Sequence, residues 1–360
     1  MTVIDADAHV EESPAMFGFL EKEYHARRPL PLAFDRDTVY GPHNAVWLID
    51  GKVYPKLQGK GGVIFRTPTL MDSAKQKPES IPAQELTDVS ARLRDLDRVG
   101  IDKQVVYPSL FLAATTDDLK FEAALLRAYN SFMADVCSKS GGRIRFAALV
   151  PIRDVEESMR ELRRARSLGA VSVMLHGMAW DKSLGDESLF PFYGEAERLG
   201  IPVCVHLGWG CPAMTEIFDA RTNFYSAILP VLMGFHSLMV SEVMEAFPRL
   251  KLAFLETGCE WVPYLIRQVR TGNLRGKGVT GDSSKYFREG RIFIGCEADE
   301  EINHVVNCIG EDSLVAASDY PHADPSREEE MLKAFMERED LPLRVKEKIL
   351  SVNPQRLYGL

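Results

Sequence analysis

Short apolar runs recur along the chain and alternate with amphipathic stretches. Eight of these runs are rich in Val, Ile, Leu and Ala, with few polar residues inside them. A parallel strand that is covered on both faces needs such near-continuous apolar sequence. The eight predicted strands span residues 3–9, 103–109, 144–151, 170–176, 202–206, 252–256, 292–297 and 314–319.

The segments between these runs have the period of a helix. Val89, Leu93, Leu96 and Val99 fall on one helical face before the second predicted strand. Segments with the same spacing precede the third, fourth, fifth and eighth strands, within residues 125–136, 155–165, 192–199 and 302–309. Strand–helix alternation repeated eight times predicts a distorted TIM-type (β/α)8 barrel, and a doubly wound open sheet is the alternative.

One long segment, residues 13–85, interrupts this alternation. Its clearest feature is the sequence AVWLIDGKVY at 45–54, where two apolar runs flank Asp50-Gly51, a strong hairpin signal. We interpret the segment as an insertion after the first strand of a single domain that spans residues 1–360. We expect its part from about 40 to 85 to lie over the carboxyl-end mouth of the barrel as a lid, and a peripheral ornament is the alternative.

Composition and charge narrow the class of protein. The formal net charge of −9 argues against unaided binding to nucleic acid or to an anionic membrane, because both favour a basic surface. No signal peptide and no membrane-length apolar run is evident. The six cysteines form no CxxC pair, which favours buried thiols in a reducing cytoplasm.

Ionisable residues end most of the predicted strands. In a parallel barrel these ends converge on one face, and alternate residues such as Asp7 and His9 point the same way. Converging carboxylates and imidazoles are typical ligands of Zn, Mn or Fe. The strand-end residues concerned are Asp7, His9, His176, His206, Glu256, Glu297 and Asp319.

Several motifs resemble the amidohydrolase-related family of the amidohydrolase superfamily, which contains the aminocarboxymuconate-semialdehyde decarboxylase type of enzyme. They are DADAHVEE (5–12), RLRDLDRVGID (92–102), YPS (107–109), VHLGWG (205–210), FPRLKLAFLETGCEWVP (247–263), ASDYPHAD (317–324) and NPQRLYG (353–359). The resemblance implies one divalent metal, zinc or manganese, held by Asp7, His9, His206 and Asp319. It also implies that Asp319 moves protons during the reaction.

The chain departs from the family pattern at two strands. Decarboxylases of this group often have a histidine at the end of the sixth strand, where this chain has Glu256. We expect Glu256 to accept a proton or to bind the metal directly, with pairing to an arginine as the alternative. The fourth strand ends in His176 and lacks the lysine of two-metal relatives, so one metal is expected and His176 is kept as a catalytic candidate.

Other residues are candidates for substrate binding. Trp209 and His322 follow the fifth and eighth strands, although His322 is equally compatible with a role in orienting its turn. Arg66, Arg221 and Arg267 have the chemistry of a carboxylate clamp, and the sequence does not choose among them.

Two reactions fit the same ligands. In a decarboxylase of an aromatic or ring-cleavage acid, Asp319 would move a proton to the carbon that loses CO2. In a hydrolase of an amide, lactone or C–C bond, Asp319 would take the proton of a metal-activated water. The family resemblance favours decarboxylation of a small carboxylate substrate, in an enzyme that could be a homodimer. A barrel that only binds a ligand or a partner is the non-enzymatic alternative.

Overall fold

Eight parallel strands, labelled β1–β8, form the central sheet of the computed structural model. They follow the chain in spatial order, as a singly wound barrel requires. The strands are β1 Ile4–Val10, β2 Lys103–Pro108, β3 Ile144–Leu149, β4 Ser172–His176, β5 Val203–His206, β6 Leu252–Leu255, β7 Ile292–Cys296 and β8 Leu314–Ala316. The structure describes residues 1–34, 44–54, 57–58, 62–63, 68–69, 75, 77–215, 224–273, 282–323 and 326–360.

The barrel closes where β8 returns to β1. The Asp319 amide donates to the Asp7 carbonyl at 3.0 Å, and the His9 amide donates to the Tyr320 carbonyl at 2.5 Å. An open doubly wound sheet would leave its first and last strands apart. The prediction of a barrel is therefore confirmed, and all eight predicted strands occur with boundaries that shift by at most three residues.

Helices follow the strands on the outside of the barrel. The first, α1, begins after Asp88, whose carboxylate accepts from the Ala91 amide, and it ends at Gly100, which has a φ of 74°. The α-helices of six or more described residues are α1 Val89–Val99, α2 Leu119–Lys139, α3 Val155–Ser167, α4 Phe190–Leu199, α5 Leu229–Val240, α6 Val262–Asn273, α7 Ile302–Ile309, α8 Met331–Glu337 and α9 Asn353–Tyr358. Within the described ranges, no helix is long and apolar enough to cross a membrane.

Strand register places the functional side chains at one level. His9 pairs with Tyr107, and His206 pairs with His176 on one side and Leu255 on the other. The carboxyl ends of neighbouring strands therefore lie side by side around the mouth. Asp7 and His9 are two residues apart on β1, so both side chains point to the same face of the strand.

The predicted hairpin is present in the insertion after β1. Strands Ala45–Ile49 and Lys52–Tyr54 pair antiparallel, and a third strand, Leu30–Ala33, pairs with the first of them. Asp50 and Gly51 both have positive φ, 50° and 74°, as a two-residue hairpin turn of this class requires. The Tyr54 hydroxyl donates to the carbonyls of Ala114 and Thr115 in the loop that follows β2.

A buried arginine ties the ends of the barrel together. Arg92 on α1 is fully buried and donates to the His9 carbonyl at 2.8 Å and to the Gln104 side chain at 2.9 Å. Gln104 in turn donates to Asp5 at 2.8 Å, and Asp5 accepts from the Ser318 amide at 2.9 Å. This network connects β1, β2 and the segment after β8, the three parts of the chain that meet where the barrel closes.

Replacing Arg92 by Met should destabilise the protein by about 3 kcal/mol, because the substitution leaves the His9 carbonyl and Gln104 buried without their partner. The free energy of unfolding in denaturant measures this change. The matched control is Arg94→Met on the same helix, since the Arg94 side chain is 68% exposed and should contribute little. Equal stability of the two variants would contradict the role of the network.

Candidate metal centre

Five side chains from four strand ends meet inside the carboxyl-end mouth. Asp7 and His9 come from β1, His206 ends β5, Glu256 follows β6 and Asp319 follows β8. All five side chains are buried, with at most 4% of any of them exposed. The structure thus brings together the four predicted ligands and the glutamate that was expected beside them.

The two imidazoles are oriented by backbone carbonyls. His9 Nδ1 lies 2.8 Å from the Pro108 carbonyl, and His206 Nδ1 lies 2.7 Å from the Leu207 carbonyl. A carbonyl only accepts, so Nδ1 carries the proton in each ring. The lone pair of each neutral ring is then on Nε2, which faces the carboxylates.

Distances between these atoms match the edges of a coordination shell. His9 Nε2 is 3.3 Å from Glu256 Oε2 and 3.2 Å from Asp319 Oδ1, and His206 Nε2 is 3.1 Å from both Asp7 Oδ2 and Glu256 Oε2. Ligand atoms about 2.1 Å from one ion are about 3.0–3.4 Å apart in octahedral or tetrahedral geometry.

Several of these atoms are buried without a hydrogen-bond partner. They include Asp7 Oδ2, His9 Nε2 and Glu256 Oε2. A buried polar atom left in this state costs about 1–3 kcal/mol. A cation between the atoms would satisfy them together, and three carboxylates supply the negative charge for it. The possible ligands form two overlapping groups that share His9 and Glu256, one with Asp7 and His206 and the other with Asp319 and His322. Their oxygen and imidazole nitrogen donors fit one divalent ion such as manganese or zinc.

The charges shift the ionisation of the cluster. Burial raises the pKa of Asp7. Burial by itself lowers the pKa of His9 and His206, but the neighbouring carboxylates outweigh it and raise both above 6.5. Burial also opposes ionisation of Asp319, yet His322 and His9 hold its pKa well below 3.8. Without a cation, protons on the imidazoles therefore balance part of the negative charge.

Two of these residues have unusual backbone conformations. Glu256 has a φ of 55° and Asp319 a φ of 52°, in a region that costs a non-glycine residue about 1–3 kcal/mol. Such strain persists only where surrounding contacts enforce it. In both residues it turns a carboxylate inward just after the strand has ended.

A family model described as amidohydrolase matches residues 4–360. This chain belongs to the amidohydrolase family.

Two curated relatives of this amidohydrolase are decarboxylases. The chain is 27% identical over 295 residues to a 2-amino-3-carboxymuconate-6-semialdehyde decarboxylase of Dictyostelium discoideum, covering 76% of this chain and 77% of that protein. It is 25% identical over 225 residues to a gamma-resorcylate decarboxylase of Rhizobium radiobacter, covering 56% and 66% respectively. The chain thus spans just under two thirds of the second relative.

A solved structure supports the barrel fold of this amidohydrolase. It is a 5-carboxyvanillate decarboxylase of Novosphingobium aromaticivorans, complexed with manganese and 4-hydroxy-3-methoxy-5-nitrobenzoic acid. Its TM-score is 0.72 at 17% identity, with 100% of this chain and 96% of that chain covered.

His322 lies against the cluster but does not face open space. Its ring stacks on His9 with centroids 4.0 Å apart, its Nε2 is 2.7 Å from Ser109 Oγ, and its Nδ1 is 2.7 Å from Asp319 Oδ1. The Nδ1 contact is close, but it does not form an aligned hydrogen bond. Because both nitrogens face protein atoms, this geometry favours an orienting role for His322 over the substrate contact expected from the sequence.

Sequence reasoning missed Ser109 and Tyr107. Ser109 contacts His322, and its backbone amide donates to the buried Glu12 carboxylate at 3.1 Å. Burial raises the pKa of Glu12 to about 8. The Tyr107 ring stacks on His206 with centroids 5.1 Å apart. The YPS motif contains both residues, but their partners are distant in sequence.

His176 lies beside the cluster rather than within it. A Cβ atom on Gly210 would come within 2.2 Å of His176 Nδ1, so the ring packs against backbone that only glycine can form there. The ring lines a small cavity with Trp180 and Arg153. His176 is not in either of the ligand groups that the described residues form, so the expected catalytic role has no support from proximity.

Trp209 is buried in the loop after β5. Its indole nitrogen donates to Ser226 Oγ at 3.1 Å, and it lines a pocket with Tyr54 and Trp180. Its place in this pocket is compatible with substrate binding, which for Trp209 stays a prediction. Of the three candidate arginines, Arg267 is exposed on α6, and Arg66 and Arg221 lie outside the described residues.

We expect one Mn²⁺ per chain, bound more tightly as the pH rises. His9 and His206, with pKa values above 6.5, must lose protons to bind the ion, so affinity should increase, with proton release, as the pH rises above 6.5. Calorimetric titration in two buffers of different ionisation enthalpy measures both the affinity for Mn²⁺ and the number of protons released. At about 100 times its Kd, the ion should stabilise the protein by about 2.7 kcal/mol.

Two variants test the location of this ion. His206→Asn should lose the stabilisation by Mn²⁺, whereas His304→Asn should keep it, because His304 is exposed on α7. Stabilisation that persists in His206→Asn would place the ion elsewhere.

Proposed function

We propose that this protein is a metal-dependent decarboxylase of an aromatic or ring-cleavage carboxylic acid. The observation that carries the proposal is the buried cluster around His9 and Glu256. These two residues form one group of possible ligands with Asp7 and His206 and a second with Asp319 and His322, and the unpaired atoms of the cluster suit one divalent ion. The curated relatives support the choice of reaction, since both are decarboxylases by name.

In this reaction a bound ion would bind the substrate, and residues of the cluster would transfer the proton. A divalent ion bound here would supply a Lewis acid that binds the substrate carboxylate and a neighbouring hydroxyl group. Loss of CO2 breaks the C–C bond, and the electron pair stays on the substrate carbon. That carbon must then receive a proton. We assign the transfer to Asp319, whose buried carboxylate would take the proton from the substrate hydroxyl group and pass it to the carbon.

Glu256 lies between the two imidazoles of the cluster. Its Oε2 is 3.3 Å from His9 Nε2 and 3.1 Å from His206 Nε2, so it contacts both imidazoles of the cluster. This position supports a role as an ion ligand or as a proton acceptor beside the ion. A carboxylate base there also suits a hydrolase, in which Glu256 or Asp319 would deprotonate an attacking water. Hydrolysis is therefore the second candidate reaction.

Parallel assays separate the two reactions. Hydroxylated benzoic acids and ring-cleavage carboxylates are incubated with the Mn²⁺-loaded protein, and CO2 release is recorded beside hydrolysis of amides and lactones. We expect CO2 release, and Asp319→Asn should reduce it by about 10²–10⁴-fold while most of the metal is retained, since an amide cannot carry the proton. Hydrolysis without CO2 release would reject decarboxylation, and activity of Asp319→Asn within threefold of wild type would reject the role of Asp319.

Glu256→Gln tests whether the charge of Glu256 is used in the reaction. The substitution preserves shape and removes basicity, so kcat should fall at least about tenfold with little change in the melting temperature. Steady-state kinetics and metal analysis are compared with Glu260→Gln, which changes an exposed glutamate four residues away. A Glu256→Gln enzyme with wild-type kcat and metal content would show that Glu256 is structural.

We further propose that the insertion acts as a lid over the substrate. Its hairpin contacts the loop after β2 through Tyr54, and Lys77 near its end donates to the Pro321 carbonyl at 2.6 Å. Both contacts lie at the carboxyl-end side of the barrel, which supports the proposal. Residues 35–43 and most of 55–76, which belong to the same segment, lie outside the described residues.

We also propose that the enzyme is cytoplasmic, acts on a small molecule and forms a homodimer. Six free cysteines support a reducing cytoplasm, and the net charge of −9 supports a small-molecule substrate rather than nucleic acid. A homodimer is proposed because α5 and α6 border an open apolar pocket of about 480 Å³. Met233 and Tyr264, which line this pocket, are 39% and 63% exposed.

A further inference from the structure

His322 and Ser109 form a chain of contacts that ends on Asp319. Ser109 Oγ lies 2.7 Å from His322 Nε2, and His322 Nδ1 lies 2.7 Å from Asp319 Oδ1. The serine and the aspartate thus contact opposite nitrogens of one ring. Ser109 is 4% exposed and His322 is 9% exposed, so water has little access to these contacts.

The chemistry of the three groups decides which atom donates. An ionised carboxylate only accepts, so His322 Nδ1 must carry the proton if the ring is to hold Asp319. In the neutral ring Nε2 is then an acceptor, and the donor that faces it is the Ser109 hydroxyl. The carboxylate therefore selects the tautomer with the proton on Nδ1, and the Ser109 hydroxyl stabilises that tautomer by donating to Nε2.

Ser109 is itself held in place by a second carboxylate. Glu12, just after β1, accepts from the Ser109 amide at 3.1 Å and from the Leu110 amide at 2.6 Å. His322 is fixed in addition by stacking on His9 and by its amide, which donates to the Asp319 carbonyl at 2.9 Å. Loops after β1, β2 and β8 thus converge on one orientation of the ring.

The other oxygen of Asp319 has its own partner. Ser326 Oγ donates to Asp319 Oδ2 at 3.0 Å, and Oδ1 is the oxygen that lies 3.2 Å from His9 Nε2. The Ser326 hydrogen bond on one side and the close His322 contact on the other limit rotation of the carboxylate and keep Oδ1 beside the cluster. Groups that hold metal ligands in this way commonly affect metal affinity by 10–100-fold.

We propose that Ser109 and His322 are positioning residues for the metal centre: the Ser109 hydroxyl fixes the ring of His322 with its proton on Nδ1, and His322 Nδ1 holds Asp319 Oδ1 as a metal ligand. The proposal rests on the metal centre proposed above. It assigns to these two residues a role in ion binding without contact to the ion or to the substrate.

Asparagine and glutamine separate the two nitrogens of His322. The amide nitrogen of Asn reaches the place of Nδ1, whereas that of Gln reaches the place of Nε2. Asn therefore keeps a donor for Asp319 and, having no tautomers, does not need Ser109. His322→Gln removes the donor to Asp319 and keeps only a group that faces Ser109.

The experiment measures the Kd for Mn²⁺ by competition with a chelating dye, together with the melting temperature of each metal-free protein. We expect Ser109→Ala and His322→Gln to weaken binding at least about tenfold. We expect His322→Asn to weaken it less than His322→Gln. Ser109→Ala added to His322→Asn should have no further effect, because the two residues act in series. The control is Ser158→Ala, which removes a hydroxyl that donates to the Asp154 carbonyl within α3.

Three results would overturn the proposal. Binding by Ser109→Ala or His322→Gln within threefold of wild type would show that the pair does not support the ion. If Ser109→Ala raised the Kd for Mn²⁺ in the His322→Asn background as much as it does in wild type, Ser109 would not act through the ring. Weaker binding matched by a lower melting temperature of the metal-free protein would assign both residues to folding alone. If the folded wild-type protein does not bind Mn²⁺, the proposal of a metal centre is wrong. This result is distinct from the three that overturn only the positioning role of Ser109 and His322.

Discussion

The hydrogen bonds that join the segment after β8 to β1 are the constraint on which the site depends. The Asp319 amide donates to the Asp7 carbonyl, so the first and last predicted ligands are adjacent although they are far apart in the sequence. Two further buried hydrogen bonds stabilise this closure: Arg92 donates to the His9 carbonyl, and the Ser318 amide donates to Asp5. Without this closure, the carboxyl ends of the strands would form an open edge rather than a bowl that can surround an ion.

The centre combines strain and electrostatic repulsion that the fold must hold. Glu256 and Asp319 both have positive φ, and three carboxylates share a buried volume with two imidazoles. Each feature is unfavourable in a protein without an ion, and each is typical of a site prepared for one. Stability lost at the mouth is offset by the apolar strands and helices beneath it, which contain most of the fully buried side chains.

The structure also separates residues that look alike in sequence. His176 and His206 each end a strand, and their Cα atoms are paired in the sheet. Only His206 joins the cluster, because its Nε2 faces Asp7 and Glu256, while His176 packs against the glycines after β5. Their positions in sequence are equivalent, so the difference comes from side-chain direction and from neighbours supplied by another loop.

The sequence by itself determined the barrel and most of its centre. Apolar runs of strand length, most of them ended by an ionisable residue, predicted both the eight strands and the convergence of Asp7, His9, His206, Glu256 and Asp319, because parallel strands present their carboxyl ends on one face. Tertiary structure alone decided how those groups are held. Ser109 reaches His322, and Arg92 reaches the His9 carbonyl, across 213 and 83 residues. Hydrogen bonds of this kind depend on ring direction and loop position, which local periodicity does not encode.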